Sequence, residues 1–221
     1  MFQEWRNLLF LHWEVDRNSL QQLVPRGLEI DTFDDKAYFG LVLFTMKGIR
    51  PRNFFPIPGA TAFHEFNART YVRHGDKSGV WFFSLDAASA LAVTVARAQY
   101  KLAYFHAEMD HQATGPRFTY QSRRRNSDAM IVADAEISSD VWHASPGTLD
   151  HFLIERYRLF AGREGALKTA LVDHEPYPLR QAALTKLQES LSSSAGVVVE
   201  GDPIVHFADG VSARIGAIEQ V

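Results

Sequence analysis

Two stretches of this 221-residue chain set ionisable and hydrogen-bonding side chains at every second position. In Phe63–Arg73 the odd positions hold Glu65, Asn67 and Arg69, while Phe66, Ala68 and Val72 stand at even ones. In Leu102–Met109, Leu102, Tyr104, His106 and Glu108 alternate with Ala103, Phe105, Ala107 and Met109. A strand turns successive side chains to opposite faces, so each stretch predicts an apolar face and a polar one whose groups stand about 7 Å apart. Arg117–Arg125 repeats the pattern with Tyr120, Ser122 and Arg124. If the three polar rows line one cavity, Glu65 is an acid or base, and Tyr104 and His106 are proton donors. Arg69 or Arg124 would clamp an anion, and Asn67, Tyr120 and Ser122 would add substrate contacts. Burial of such a row requires pairing or hydrogen bonding, which a water-filled pocket supplies. A row facing bulk water would be only a solvated surface, and alternation leaves both readings open.

Other constellations are weaker. His106, Glu108 and His111 sit close together, but His111 has the opposite strand parity to His106, so no metal is assigned. No glycine-rich phosphate loop, nucleophile elbow or H-E-x-x-H helix occurs, and no cofactor is implied. His143, His151, His174 and His206 are scattered and read as loop or core histidines.

Composition narrows the function classes. A net charge of −3 and a pI near 6.3 offer no general attraction to phosphate backbones or anionic lipid. Arg123–Arg125 alternates faces and is balanced by Asp128, so no nucleic-acid role is expected. With no cysteine there is no disulfide framework and no thiolate chemistry. The first residues lack a basic segment, a long apolar core and a cleavage site, and no run reaches the roughly 20 apolar residues of a membrane span. The expectation is a soluble, cytoplasmic protein with no membrane contact.

The elements that must position these rows follow from periodicity and turn chemistry. Trp5–Val15 reads as a buried strand, with Asp16 capping a short helix over Ser19–Val24. Leu28–Thr32 and Lys36–Met46 form a hairpin through Asp34-Asp35, and Gly40 in the second arm marks a bulge or a close backbone approach. Arg50–Gly59, with three prolines and the pair Phe54-Phe55, reads as a loop that plugs one end of a barrel or else covers a pocket mouth as a lid. A turn over His74–Gly79 leads to Val80–Leu85, and Asp86 is placed as the cap of an uncharged, buried helix from Ala87 to about Gln99. Arg117–Arg125 and Ala129–Ser138 pair through Asn126-Ser127-Asp128, Thr148–Phe160 is predicted helical, and Leu167–His174 is strand-like. Thr185–Ser194 is ambiguous, and Ile204–Phe207 with Val211–Ile218 reads as a hairpin through Asp209-Gly210. Nine or ten strands with three or four short helices, mostly joined by short turns, predict an α+β fold on a strongly curved, mainly antiparallel sheet.

Several long motifs carry a resemblance: WRNLLFLHWEVD, LVPRGLEIDTFDDKAYFGLVLF, FNARTYVRHGDKSGVWFFSLDA, ARAQYKLAYFHAEM, LIERYRLF, HEPYPLRQA and PIVHF. Over nearly its whole length the chain resembles the family of unknown function 2071 (DUF2071), often called YqjF-like, which carries no established reaction. That family is similar in fold to acetoacetate decarboxylase, a cone-shaped, mainly antiparallel β-barrel with flanking helices around an interior pocket. The resemblance therefore implies one acetoacetate-decarboxylase-like domain over residues 1–221. The decarboxylase forms a Schiff base on a lysine whose pKa a second lysine and an apolar site depress. In the similar segment here Tyr104 and Phe105 stand at the lysine positions, and Lys101 has the wrong parity to substitute. A tyrosine cannot form an imine, so that route is not expected. Phe63-His64-Glu65 is similar to the decarboxylase's aromatic-x-glutamate strand, which implies a pocket-lining glutamate at Glu65.

The combined expectation is a pocket for a small anionic or carbonyl-bearing molecule, worked by acid–base chemistry without a Schiff-base lysine. A non-catalytic binding or sensing protein and an interaction module filled by its own Phe54 and Phe55 are the alternatives. A homo-oligomer is left open, because the decarboxylase's assembly does not carry over on motifs.

Overall fold

The computed structural model describes residues 1–50, 62–90, 93 and 102–221. Strand β1 (Phe2–Val15) leads through helix α1 (Arg17–Gln21) and β2 (Glu29–Ile30) to β3 (Ala37–Arg50), β4 (Ala62–His74) and β5 (Lys77–Ala87). Then come β6 (Tyr104–Thr114), β7 (Arg117–Arg124), β8 (Met130–Ile137), α2 (Leu149–Ile154), β9 (Arg158–Arg163) and β10 (Ala166–Asp173). The chain continues through β11 (Leu179–Glu189), α3 (Leu191–Ser194), β12 (Ile204–Ile215) and β13 (Glu219–Gln220).

One sheet holds these strands in the order β13-β10-β9-β5-β6-β7-β8-β11-β12-β1-β3-β4-β2, with further pairings β10–β12 and β5–β4. The β5–β4 ladder brings the pairings back on themselves, so the sheet curls into a cone-like form rather than lying open. Among the described residues, the pairings of β5 with β6 and with β9 are parallel and the others antiparallel. This is the mainly antiparallel, strongly curved α+β sheet expected from the turn spacing.

The centre of the sheet is covered on both faces. Leu8–Trp13, Ala37–Met46 and Glu65–Val72 are each continuously buried, and their alternate residues feed two separate cores. Leu9, Leu11, Phe39, Leu41, Phe66, Phe207 and Leu20 of α1 pack on one side. Leu8, Phe10, Tyr38, Val42, Phe44, Tyr71 and Leu153 of α2 pack on the other.

The structure alters several local expectations. Asp86 caps no helix: it lies inside β5, opposite Phe66. Of the helix expected over Ala87–Gln99, Ala90 and Val93 have described helical backbone, and Val93 N–H bonds the Ser89 carbonyl at 3.0 Å. The helix expected over Thr148–Phe160 stops at Ile154, and β9 begins at Arg158 because residues that read as a helical stripe also alternate into a ladder with β10. Thr185–Ser194 divides into the end of β11 and α3. The last two predicted strands are one, β12, in which Asp209-Gly210 makes no hairpin. Gly210 has φ +149° and a Cβ there would lie 2.3 Å from the Trp5 carbonyl, so the glycine admits β1 alongside. The loop Arg50–Gly59, including Phe54 and Phe55, lies outside the described residues apart from Arg50, and Lys101 is also outside them. Among the described residues no helix is long and apolar enough to cross a membrane.

Gly79 permits the junction that seats β9 on β5. A Cβ at this position would stand 2.7 Å from the Arg158 carbonyl oxygen and 2.9 Å from the Phe160 ring, and the carbonyl is backbone that cannot rotate away. Gly79→Val is expected to destabilise by about 1–3 kcal/mol, a drop of several degrees in Tm for a chain of this size. An unchanged Tm would contradict the packing of β9 against β5.

Candidate functional site

The register decides which polar side chains meet. Residues directly opposite one another on neighbouring strands share a face. Phe44 of β3, Glu65 of β4, Ala87 of β5 and His106 of β6 form one row across the sheet. Val42, Asn67, Leu85 and Tyr104 form the next, with Phe10 of β1 and His206 of β12 at its other end. His12, Gly40 and Arg69 belong to a third. The face that carries Glu65 thus also carries Asn67, Arg69, Tyr104 and His106.

Glu65 is 3% exposed, and its Oε2 accepts a 2.9 Å hydrogen bond from the Tyr104 hydroxyl. Burial pushes its carboxyl pKa up to about 7 against the bond from Tyr104, and the Asp86 carboxylate adds a smaller upward push. A buried carboxyl with one neutral donor holds a proton near neutrality, the range in which a side chain both takes and gives protons efficiently.

Arg69 lies two residues beyond Asn67 in the same row and is 9% exposed. Its Nη2 donates to the Leu153 carbonyl at 3.0 Å, and its guanidinium lies 5.7 Å from the ring centres of both Phe10 and Tyr71. Among the described residues no carboxylate pairs with it, and its Nε has no partner. The Oδ1 of buried Asn67 is likewise unpartnered.

The other expected substrate contacts lie on the opposite face. Arg124 is opposite Ala107, so it shares the side of Phe105 and Asp86. It grips Asp86 through Nη2–Oδ1 at 2.8 Å and Nε at 3.1 and 3.3 Å, donates to Ser194 Oγ at 3.1 Å, and stacks 3.9 Å over the Phe105 ring. Its charge is therefore spent on a structural partner. Tyr120 is fully buried and donates to the Asn7 carbonyl at 2.8 Å, and burial alone holds its pKa well above 10. Ser122 lies beside them, opposite Met109. Alternation within β7 identified its polar row, but only the β6–β7 register sets the phase of that row relative to Glu65. His111 is inside β6. It shares Tyr120's face and packs 4.6 Å from that ring. Among the described residues no three His, Cys, Asp or Glu side chains gather as a metal site.

Two further residues lie on the Glu65 face: His12, which no sequence pattern singles out, and His206, which the sequence presents only as a loop or core histidine. His12 is fully buried in the Leu8–Trp13 run, and neither ring nitrogen has a partner. His206 bonds Asp150 Oδ1 through Nε2 at 3.0 Å and leaves Nδ1 unpartnered. The available signal was Gly40: a Cβ there would stand 2.7 Å from Cδ2 and 3.1 Å from Nε2 of His12, so the expected close approach is made by the histidine ring. Two described cavities lie elsewhere. One of about 740 Å³ is at the β7–β8 turn, lined by Glu108 and residues 123–128, and one of about 380 Å³ lies by Pro116, Phe118, Arg180 and Phe207. What marks the Glu65 face is its unpartnered polar atoms.

Two measurements test this electrostatic division. Asp86→Ala leaves Arg124 buried without its counter-charge and should destabilise by about 3–5 kcal/mol, whereas Asp86→Leu combined with Arg124→Met should recover most of that. Equal losses in the single and double variants would show that the pair is not coupled. For Glu65, the folded pKa of about 7 exceeds the ordinary 4.5, so the native state binds the proton more tightly than the unfolded chain. Its stabilising contribution is present below pH 4.5 and is lost as pH rises through 7, on the order of 3 kcal/mol in all. Glu65→Gln removes this dependence, so urea denaturation should show the wild type losing more stability than the variant between about pH 5 and pH 8. Parallel curves would contradict a raised carboxyl pKa.

Comparison with known proteins places this geometry in context. The model of the DUF2071 family, described as an uncharacterized conserved protein, matches residues 2–212. Uncharacterized protein YqjF of Bacillus subtilis (strain 168) is 38% identical over 210 residues, covering 94% of this chain and 87% of the relative. Among solved structures, an acetoacetate decarboxylase superposes with a TM-score of 0.72 at 13% identity, covering 100% of this chain and 88% of the other. The enduracididine biosynthesis enzyme MppR complexed with pyruvate superposes with a TM-score of 0.68 at 12% identity, covering 99% and 89%. At such identities the likeness concerns the fold.

Proposed function

We propose that this chain, which belongs to the DUF2071 family, is one acetoacetate-decarboxylase-like domain over residues 1–221 that acts on a small carbonyl-bearing carboxylate by acid–base chemistry without a Schiff base. The observation that carries the reading is a buried Glu65 with a pKa of about 7, hydrogen-bonded to Tyr104, on the same face as the buried Arg69 that no described carboxylate neutralises.

The roles follow from charge and reach. Arg69 is the anion partner, since a guanidinium held by one carbonyl retains donors for a carboxylate. Glu65 in its ionised form takes a proton from carbon next to the ligand carbonyl, and the Tyr104 hydroxyl steadies the carboxylate. Once protonated, Glu65 returns the proton to the product, so acid and base are one group. Asn67 lies between the two ends and supplies a neutral contact. His106 shares the Glu65 row and is the second proton donor in this reading. Tyr104 excludes an imine at the position where the decarboxylase has a lysine, and the solved complex of MppR with pyruvate supports an oxo acid as the first probe.

The test is proton exchange. In deuterated buffer the wild-type protein should catalyse loss of the pyruvate methyl proton signal. Glu65→Gln should slow that loss at least about 100-fold while still binding pyruvate, and Tyr104→Phe should have a smaller effect. Arg69→Met should weaken pyruvate binding. Binding without exchange in the wild type would turn the reading into that of a binding protein, and absence of both would sink it. Borohydride added with pyruvate should leave the mass of the chain unchanged, and a stable adduct would contradict the absence of a Schiff base.

A further inference from the structure

Ten buried side-chain atoms have no hydrogen-bond partner among the described residues. Five of them, both ring nitrogens of His12, Asn67 Oδ1, Arg69 Nε and His206 Nδ1, lie on the Glu65 face. Buried polar groups are almost always satisfied, and each that is not costs about 1–3 kcal/mol. Their concentration on one face of four adjacent strands marks a place built to contact something.

Their proximity has independent support. The His12 ring centre lies 6.1 Å from that of Tyr71 and 6.3 Å from that of His206. Tyr71 and Arg69 donate to the same Leu153 carbonyl at 2.7 and 3.0 Å. Gly40, between His12 on β1 and Arg69 on β4, gives the ring the space that a side chain would fill. The helix α2 holds the cluster from both of its ends, with Asp150 on His206 and Leu153 on Arg69.

The donor and acceptor inventory specifies what fits. Arg69 Nε can only donate. Burial, with the charge of Arg69 adding to it, holds the His12 pKa well below 6.5, so the ring is neutral and offers one donor and one acceptor. Burial also lowers that of His206 against the pull of Asp150. With Nε2–H directed to the carboxylate, its Nδ1 is an acceptor. A plain carboxylate has only acceptors and would satisfy Arg69 while leaving the bare nitrogens of both histidines unmet. A hydroxyl next to the carboxylate donates its one proton to His206 Nδ1 and accepts from the His12 N–H, so it meets one bare nitrogen and one ring donor that a carboxylate leaves open.

We infer that His12 and His206 form, with Arg69, a recognition subsite for a hydroxycarboxylate: the carboxylate on Arg69 and the neighbouring hydroxyl between the two imidazoles. This rests on the assignment of Arg69 as the anion partner and adds to the carbonyl-bearing carboxylate of that reading a hydroxyl beside its carboxylate. Asp150 is a positioning residue that fixes the ring orientation of His206.

Calorimetric titration of the full chain with L- and D-lactate, propionate and 1,2-propanediol tests it. Propionate lacks the hydroxyl and propanediol lacks the carboxylate. One lactate enantiomer is expected to bind at least ten-fold more tightly than propionate, and propanediol not measurably. His12→Phe should reduce that lactate to the level of propionate, leave propionate within two-fold, and raise the Tm of the ligand-free protein by removing two unmet buried nitrogens. Gly40→Ala keeps every polar group but displaces the His12 ring, and should abolish the lactate preference likewise. Equal affinities for lactate and propionate, both lost in Arg69→Met, would overturn the hydroxyl subsite and leave the carboxylate site standing. A lactate preference that survives both His12→Phe and Gly40→Ala would overturn the role of His12. If no carboxylate binds, the subsite falls together with the anion site on which it rests.

Discussion

Burial of the central strands on both faces is the constraint from which the rest of the structure follows. In an ordinary antiparallel sheet one face is wet and polar residues can be left there without consequence. Here β1, β3 and β4 are continuously buried over Leu8–Trp13, Ala37–Met46 and Glu65–Val72, so every polar residue among them must find a partner or hold a proton. The two faces resolve this differently. On one, Asp86 and Arg124 meet as a multiply bonded ion pair. On the other, no ion pair joins Glu65, Arg69, His12 and His206 to one another, although the two histidine rings lie 6.3 Å apart.

That difference separates a structural network from the face on which the proposed site lies. The ion pair ties β5 to β7 and α3, closing a part of the sheet where the β5–β6 ladder is only three residues long. The Glu65 face retains more unmet hydrogen-bonding capacity, five buried atoms against His111 Nε2 and Ser122 Oγ on the Arg124 face, which works against stability and is the expected signature of a site kept for a ligand. The helix α2 reconciles the two demands. It is too short to be stable alone, yet its last-turn carbonyl at Leu153 receives both Arg69 and Tyr71, and Asp150 in its first turn receives His206. The sheet supplies the donors that the helix end lacks, and the helix holds the arginine without neutralising it.

Period-two alternation made the Glu65 row legible before any coordinates, and turn chemistry made the curved antiparallel sheet legible with it. What alternation within a strand does not contain is the phase between strands. Tyr120, Ser122 and Arg124 alternate as cleanly as Glu65, Asn67 and Arg69, but the pairing of Ala107 with Arg124 turns them to the other side. Asp86 follows a related rule: an acid ahead of an uncharged segment has the form of a helix cap, and only the long-range partner Arg124 explains its place inside a strand. His12 was hidden by its surroundings, because one histidine in a run of Leu, Phe and Trp carries no periodic signal of its own. Gly40 carried half of that information, the presence of a close approach, without naming the group that makes it.

If Tyr104 and Phe105 stand at the decarboxylase's lysine positions, as the motif resemblance implies, their presence has an electrostatic consequence beyond the loss of an imine. An apolar interior that lowers the pKa of a buried amine raises that of a buried carboxyl, since both shifts are the cost of a charge in a poor solvent. An ammonium beside Glu65 would offset this by holding the carboxylate ionised, and the glutamate would then be a fixed charge. Tyr104 offers a hydroxyl instead, which is neutral and donates a single bond. It moderates the effect of burial without reversing it, and Glu65 stays near pH 7. In the proposed reading, the tyrosine that excludes an imine therefore leaves a titratable base beside it, and Arg69 on the same face is the charge that an incoming anion would meet.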